Sequence, residues 1–416
     1  MQKFTKIFLL LPIILLFFHF IFRLIDMSAL IHTYPLYNEA VTQLAQLFFL
    51  DHCGFHQWCP YWYNGFTTFL ITPPAWYFFA YPFYFFSNLL LGAYLSLLFI
   101  YLLAFFFIFF FGSFIGLSPI QRIFFFLFIF SNNVLIKMMS FGRFHEIFAW
   151  MLFSVAFLLL IYYKDHHFNR WALGLSLILS VTLLAHQSVG ILLTVLFLGL
   201  ILVKEGLERW KAGGIFILGF VLSSLWLIPA FNESQRNITL TGSFINVEAW
   251  WMFPLMTPTF TYFAFFLLPL SFFFFFFLFS KQYQHPKRDF LFFFPSIVLL
   301  GIFLIGMMPH IPIFKNIFTN MYFQYSYILI GYLFARLRFN TALHDFLFRL
   351  FIIIISISMI LINFMGTPLF QNHTSLEADI ITLGKIMRDP YLFIGPFPSS
   401  SFPPAYYGYF AIYDNL

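Results

Sequence analysis

The sequence predicts an all-α polytopic membrane protein with about eleven transmembrane helices, a cytoplasmic N-terminus, an outer C-terminus and a long first outer loop carrying short surface helices. Two observations predict the class. Of the 416 residues, 62% are hydrophobic and only 9% are charged, against about a quarter charged in an ordinary soluble domain. Apolar runs near the roughly 20 residues that cross a bilayer then recur along nearly the whole chain. A third observation, the distribution of basic residues, predicts the orientation.

The runs fall at about 7–25, 88–112, 120–138, 146–163, 171–185, 188–203, 213–231, 259–280, 289–307, 319–335 and 348–365. Lys3 and Lys6 precede the first, which resembles a signal peptide in its charge but is long and lacks a small-residue cleavage site, so it is read as a span. With the N-terminus inside, 14 of the 21 Lys and Arg residues fall in cytoplasmic loops, including Arg122, Lys164, Arg170, Lys204, Arg288 and Arg336. That bias is the positive-inside pattern, and it explains the net charge of +6 without nucleic acid or another anionic partner. Counting Trp76–Phe86 as a further span would reverse every later loop, so this stretch is read as a short helix on the outer surface. The 71 Phe residues, and the 25% aromatic content, suit lipid-facing surfaces, with carbohydrate stacking as the alternative.

The predicted cytoplasmic connections are short, whereas the outer segments 26–87, 232–258 and 366–416 are long. Long loops on one face suggest a site there. Residues 1–365 therefore form one transmembrane domain, and 366–416 a short outer tail in which Leu376–Met387 has an amphipathic pattern. Sequons at Asn232, Asn237 and Asn372 also lie on segments predicted to be outside.

Ionisable residues near the outer ends of spans are the first candidates for chemistry. In the first outer loop Glu39 precedes a helix-like stretch from Ala40 to Leu50, and Asp51 follows twelve residues after Glu39; either carboxylate suits a general base, or is simply a solvated charge. Ser140-Phe141-Gly142-Arg143-Phe144-His145-Glu146 forms a second cluster. Arg143 offers a planar fork of donors suited to phosphate, or an interfacial anchor reaching the headgroups. Glu146 also fits a helix start, where the dipole favours negative charge. His186, at the short turn between the fifth and sixth spans, is a hydrogen-bond donor for sugar or phosphate, or a structural histidine. Arg236, His310 and Lys315 are further outer cations. Pro73-Pro74 leads into the surface helix, where Trp76, with Trp58 and Trp62, suits an interfacial belt or a sugar.

The order of these features resembles the C-superfold membrane glycosyltransferases, such as protein mannosyltransferases and aminoarabinose transferases. The resemblance covers roughly residues 1–260 and rests on Asn38-Glu39 after the first span, Pro73-Pro74 before the surface helix, and Ser140 to Glu146 opening the fourth span. It departs from the family's acidic pair at Asn38 and in the short C-terminal tail. The resemblance implies transfer of a sugar from a polyprenyl-phosphate carrier to a glycan, lipid or protein acceptor at the outer or periplasmic face of the plasma membrane. It implies Glu39, then Asp51, as the catalytic carboxylate, with Arg143, His145, Glu146, His186, Arg236, His310 and Lys315 as binding groups. The lipid-linked sugar is the donor; no metal ligands are expected, and a requirement for a divalent metal is left open. Other readings are a transporter or flippase, marked by charges and broken helices at mid-membrane; a polysaccharide polymerase or ligase; and a silent scaffold.

Cys53 and Cys59, the two cysteines of the chain, flank His56 beside Asp51. On an outer face a disulfide is expected, with two free thiols next; zinc through His52, Cys53, His56 and Cys59 departs from the usual paired Cys-x-x-Cys spacing. With a disulfide, the denatured protein gains no mass from iodoacetamide until it is reduced, and then gains both adducts; adducts before reduction exclude the bond.

Overall fold

The computed structural model describes residues 2–32, 39–60, 66–70, 72–140, 142–241, 269–277, 286–311, 314, 317 and 319–337. Over these residues the chain is mostly helical. Three helices are long and apolar enough to cross a membrane: α4 (Leu89–Phe114), α7 (Phe144–Asp165) and the part Gly206–Ala230 of α10 (Gly206–Thr241). α1 (Gln2–His32), α5 (Pro119–Phe130), α8 (Leu173–Ala185) and α9 (Gln187–Val203) carry shorter apolar stretches. The chain is thus a helical protein with membrane association.

α7 is the central helix. Of its most apolar window 83% is buried, against 39% for α4 and 28% for α10, and it packs on α4, α8 and α9. Without water in a bilayer core every backbone polar group must be satisfied within the chain, which long helices achieve. Side chains then close the ends. Asn88 accepts a hydrogen bond from the Leu91 amide at 2.8 Å to start α4, and Ser118 and Gln121 form a reciprocal capping box before Pro119 at the start of α5.

The 22 residues of α7 span about 33 Å at 1.5 Å per residue. Around its C-terminal end the basic residues gather. Buried Lys164 pairs with buried Asp289, near the start of α12 (Pro286–Leu304). Lys204 donates to the His166 carbonyl at 2.6 Å, and burial first, then Arg288, pushes its pKa down. Arg288 donates to the Lys164 carbonyl at 2.6 Å. Phe114 meets Tyr162, and at this end of α4 Arg122 donates to the Leu117 carbonyl. Arg336, ending α13 (Thr319–Arg336), donates to the Ile115 carbonyl. The label α11 denotes helical residues 269–277.

Three expectations need correction. The run at 120–138 is not one helix: α5 stops at Phe130 and α6 (Asn133–Ser140) begins after Ser131-Asn132. The break is compensated by side chains. The Asn132 side chain accepts from the Leu135 amide at 3.0 Å and donates to the Ile129 carbonyl, while Gln324 of α13 donates to the same carbonyl at 3.2 Å. Ser131 pairs with His19 of α1 at 2.7 Å. Second, α1 runs past 25 to His32, and Arg23 within it is 1% exposed inside the helix packing. Third, the loop expected from 232 starts as helix, because no Gly or Pro follows Pro229 to stop α10 before Thr241. The sequons at Asn232 and Asn237 therefore sit on α10. The span at 348–365, the tail 366–416 and the sequon at Asn372 lie outside the described residues.

Asp289→Ala leaves Lys164 buried with only the half-exposed Asp165 nearby, and is expected to lower stability by about 3 kcal/mol or more. Replacing both, as Lys164→Met with Asp289→Leu, should lose much less. Unfolding of the detergent-purified proteins measures the difference; equal losses would show that the pair does not act as a unit.

Candidate functional site

The site is built at the start of α7. Helix α6 ends in a Schellman motif: the Gly142 amide donates to the Met139 carbonyl at 2.9 Å and the Arg143 amide to the Met138 carbonyl at 3.0 Å. That motif needs a left-handed residue, and Gly142 has φ +76°. A Cβ at Gly142 would lie 2.1 Å from the Ala40 nitrogen and 2.4 Å from its Cα. The glycine therefore permits both the sharp turn into α7 and backbone contact with the first residues of α2 (Glu39–Cys53).

Arg143 precedes the first turn of α7, and its guanidinium lies 3.4 Å from Glu146 Oε1. Glu146 is 2% exposed. His186, in extended conformation where α8 ends and α9 begins, brings Nε2 to 3.4 Å from the same oxygen. The rings of His145 and His186 stack with centroids 5.2 Å apart and an interplanar angle of 27°. Three buried atoms in this cluster lack a hydrogen-bond partner among the described residues: Glu146 Oε2, His145 Nδ1 and His186 Nδ1. One metal-ligating atom from each of the three residues can be chosen so that all lie within 4.8 Å of one another.

The Pro-Pro segment reaches the same place. Pro74 precedes the first turn of α3 (Ala75–Phe85) and is buried. Trp76, fully buried, brings its ring 5.5 Å from that of Phe144. α3 also packs on α2, where Tyr77 donates to Gln43. Glu39, Pro74, Arg143 and His186 thus belong to segments that converge on the N-terminal end of α7. The side chain of Glu39 lies outside the described part of the structure, as do those of Ser140 and Arg236; Lys315 lies wholly outside it.

Asp51 lies elsewhere. It is eleven residues beyond Ala40 along α2, or about 16 Å at 1.5 Å per residue, and accepts hydrogen bonds from Tyr81 at 3.0 Å and Tyr84 at 3.3 Å. Burial, and then the bond to Asp51, pushes the Tyr81 phenol above its usual pKa, which keeps it a donor. His310 is exposed on the single turn Met308–His310 and has no contact with the cluster among the described residues.

Cys53 and Cys59 form a disulfide with Cα atoms 5.3 Å apart, so neither supplies a thiolate to zinc. The closed loop returns through β1 (Trp58–Cys59), which pairs antiparallel with β2 (Phe66–Thr67). Thr68 donates to the Gly54 carbonyl at 2.7 Å and accepts from the Gln57 amide at 3.1 Å. Trp226 of α10 donates to the Phe69 carbonyl at 2.7 Å, tying this loop to the bundle.

A buried polar group escaped the sequence reading: His19, Arg23, Ser131, Asn132 and Gln324, all 2% exposed or less. The run Ser131-Asn132-Asn133 inside an otherwise apolar stretch was the available signal. Compared with protein-family models, curated proteins and solved structures, the chain finds no match.

Gly142→Ala must strain a left-handed backbone and push against Ala40. It is expected to lower stability by about 2 kcal/mol or more, whereas Gly213→Ala in α10, with open space around its Cα, should gain up to about 1 kcal/mol. Thermal unfolding in detergent compares the two; an unperturbed Gly142→Ala protein would exclude the close approach.

Proposed function

We propose that this chain is a membrane glycosyltransferase similar to the C-superfold enzymes, moving a sugar from a polyprenyl-phosphate carrier to a glycan, lipid or protein acceptor. In this reading it crosses the plasma membrane about eleven times with its N-terminus inside, and the start of α7 faces the outer or periplasmic side, opposite the gathered cations. One observation carries the reading: Ala40, next to Glu39, lies against Gly142, next to Arg143. Segments about a hundred residues apart, which the family resemblance assigns to base and phosphate recognition, meet at one point.

The chemistry is direct displacement. The Glu39 carboxylate takes the proton of the acceptor hydroxyl or amine as that group bonds to the anomeric carbon. The bond from that carbon to the phosphate oxygen breaks, and the lipid phosphate leaves with the electron pair. Negative charge grows on the phosphate, so a cation held in place lowers the barrier. Arg143, anchored against Glu146, is that cation. With Asp51 engaged by Tyr81 and Tyr84 further along α2, the base role falls on Glu39.

A transporter reading is favoured by a different observation, the compensated helix break at Ser131-Asn132 beside buried His19 and Arg23. Reconstituted protein given radiolabelled polyprenyl-phosphate sugar and a lipid acceptor separates the two. Sugar transfer with release of polyprenyl phosphate is expected, and Glu39→Gln and Arg143→Ala should each slow it by about 100-fold or more. Full transfer by Glu39→Gln would refute the base assignment. Movement of intact labelled lipid across the bilayer without transfer would favour the transporter.

A further inference from the structure

We propose that His145, Glu146 and His186 form a binding site for a divalent transition metal of the zinc class, with an open coordination position beside Arg143. The inference rests on the geometry of these side chains and is independent of the sugar-transfer reading.

The donor set comes first. Two neutral imidazoles and one carboxylate are borderline ligands that suit zinc, and three protein ligands leave one tetrahedral position for water or a ligand oxygen. The distances come next. Suitable atoms of the three residues lie within 4.8 Å of one another, while bonds of about 2.0–2.2 Å to a tetrahedral ion place ligand atoms roughly 3.4 Å apart. The two separations differ by about an ångström, the scale of a side-chain rotation.

Unsatisfied atoms supply the second, independent observation. Glu146 is 98% buried, and its Oε2 has no hydrogen-bond partner among the described residues; nor do His145 Nδ1 and His186 Nδ1. Orphaned buried polar atoms are destabilising, and groups of this kind call for an unseen partner. Here the three belong to adjoining residues, with the His145 and His186 rings stacked. A cation held by a carboxylate oxygen and a nitrogen of each ring is one such partner.

The supporting frame is rigid. His145 and Glu146 stand on the first turn of the buried α7, and His186 is locked between α8 and α9, its amide bonded to the Thr182 carbonyl at 2.9 Å. Arg143 opposes a cation by its charge, but it engages Oε1 at 3.4 Å and so orients the carboxylate with Oε2 remaining. A metal and a guanidinium side by side suit an oxyanion such as phosphate.

The full chain, purified in detergent and stripped with chelator, is dialysed against zinc, and bound metal is counted by mass spectrometry. About one zinc per chain is expected, and Glu146→Gln and His186→Asn should each weaken binding at least about tenfold, while His52→Asn should not. Cobalt provides a readout on the native sequence. It should give the visible absorption of a tetrahedral nitrogen and oxygen site, displaced by zinc, even if a variant fails to purify. Absence of bound zinc, binding that survives both substitutions in a folded protein, or cobalt held only in an octahedral, water-like shell would overturn the proposal.

Discussion

Everything described here is arranged around the burial of α7. Its middle is apolar and enclosed by neighbouring helices, while its two ends carry paired charge: Arg143, Glu146 and His186 at one, Lys164 and Asp289 at the other. Sliding the helix by one turn, about 5.4 Å, would pull one charged end into apolar surroundings and separate both sets of partners. Burying an unpaired charge is among the most destabilising changes a protein can suffer. The depth of α7 is therefore set twice, and the height of the site is set with it.

Close approach of backbones does the rest. Gly142 lets α6 turn sharply into α7 and lets the start of α2 rest on that turn. Between α8 and α9 a single extended residue, His186, reverses the chain, so its imidazole projects from a fixed corner and not from a mobile loop. Groups carried by such short, bonded connections hold their geometry when a ligand arrives, which is what stabilising a developing charge requires.

The broken helix α5–α6 shows how irregular backbone is tolerated among buried helices. Stopping a helix frees carbonyls at one end and amides at the other, and buried groups of this kind need partners within the chain. Asn132 serves both ends, and Gln324 arrives from a helix nearly two hundred residues later. The same apolar surroundings leave the His19–Ser131 pair without competition from solvent.

Helical class and membrane association were legible in the sequence because apolar content and run length act locally: any stretch such as 88–112 or 146–163 must leave water whatever its neighbours are. The helix-like stretch after Glu39 and the short helix after Pro74 were legible for a similar reason, because the signal for each lies in neighbouring residues of the chain. The contact of Ala40 with Gly142, the meeting of His186 with Glu146, the burial of Arg23 and the break at Ser131-Asn132 were decided only by tertiary structure. Each depends on partners distant in the chain, and a polar residue in an apolar run does not reveal by itself whether it faces lipid headgroups, a helix end or another polar side chain. Hydropathy orders the chain along one dimension; distances between side chains exist only after the helices have packed.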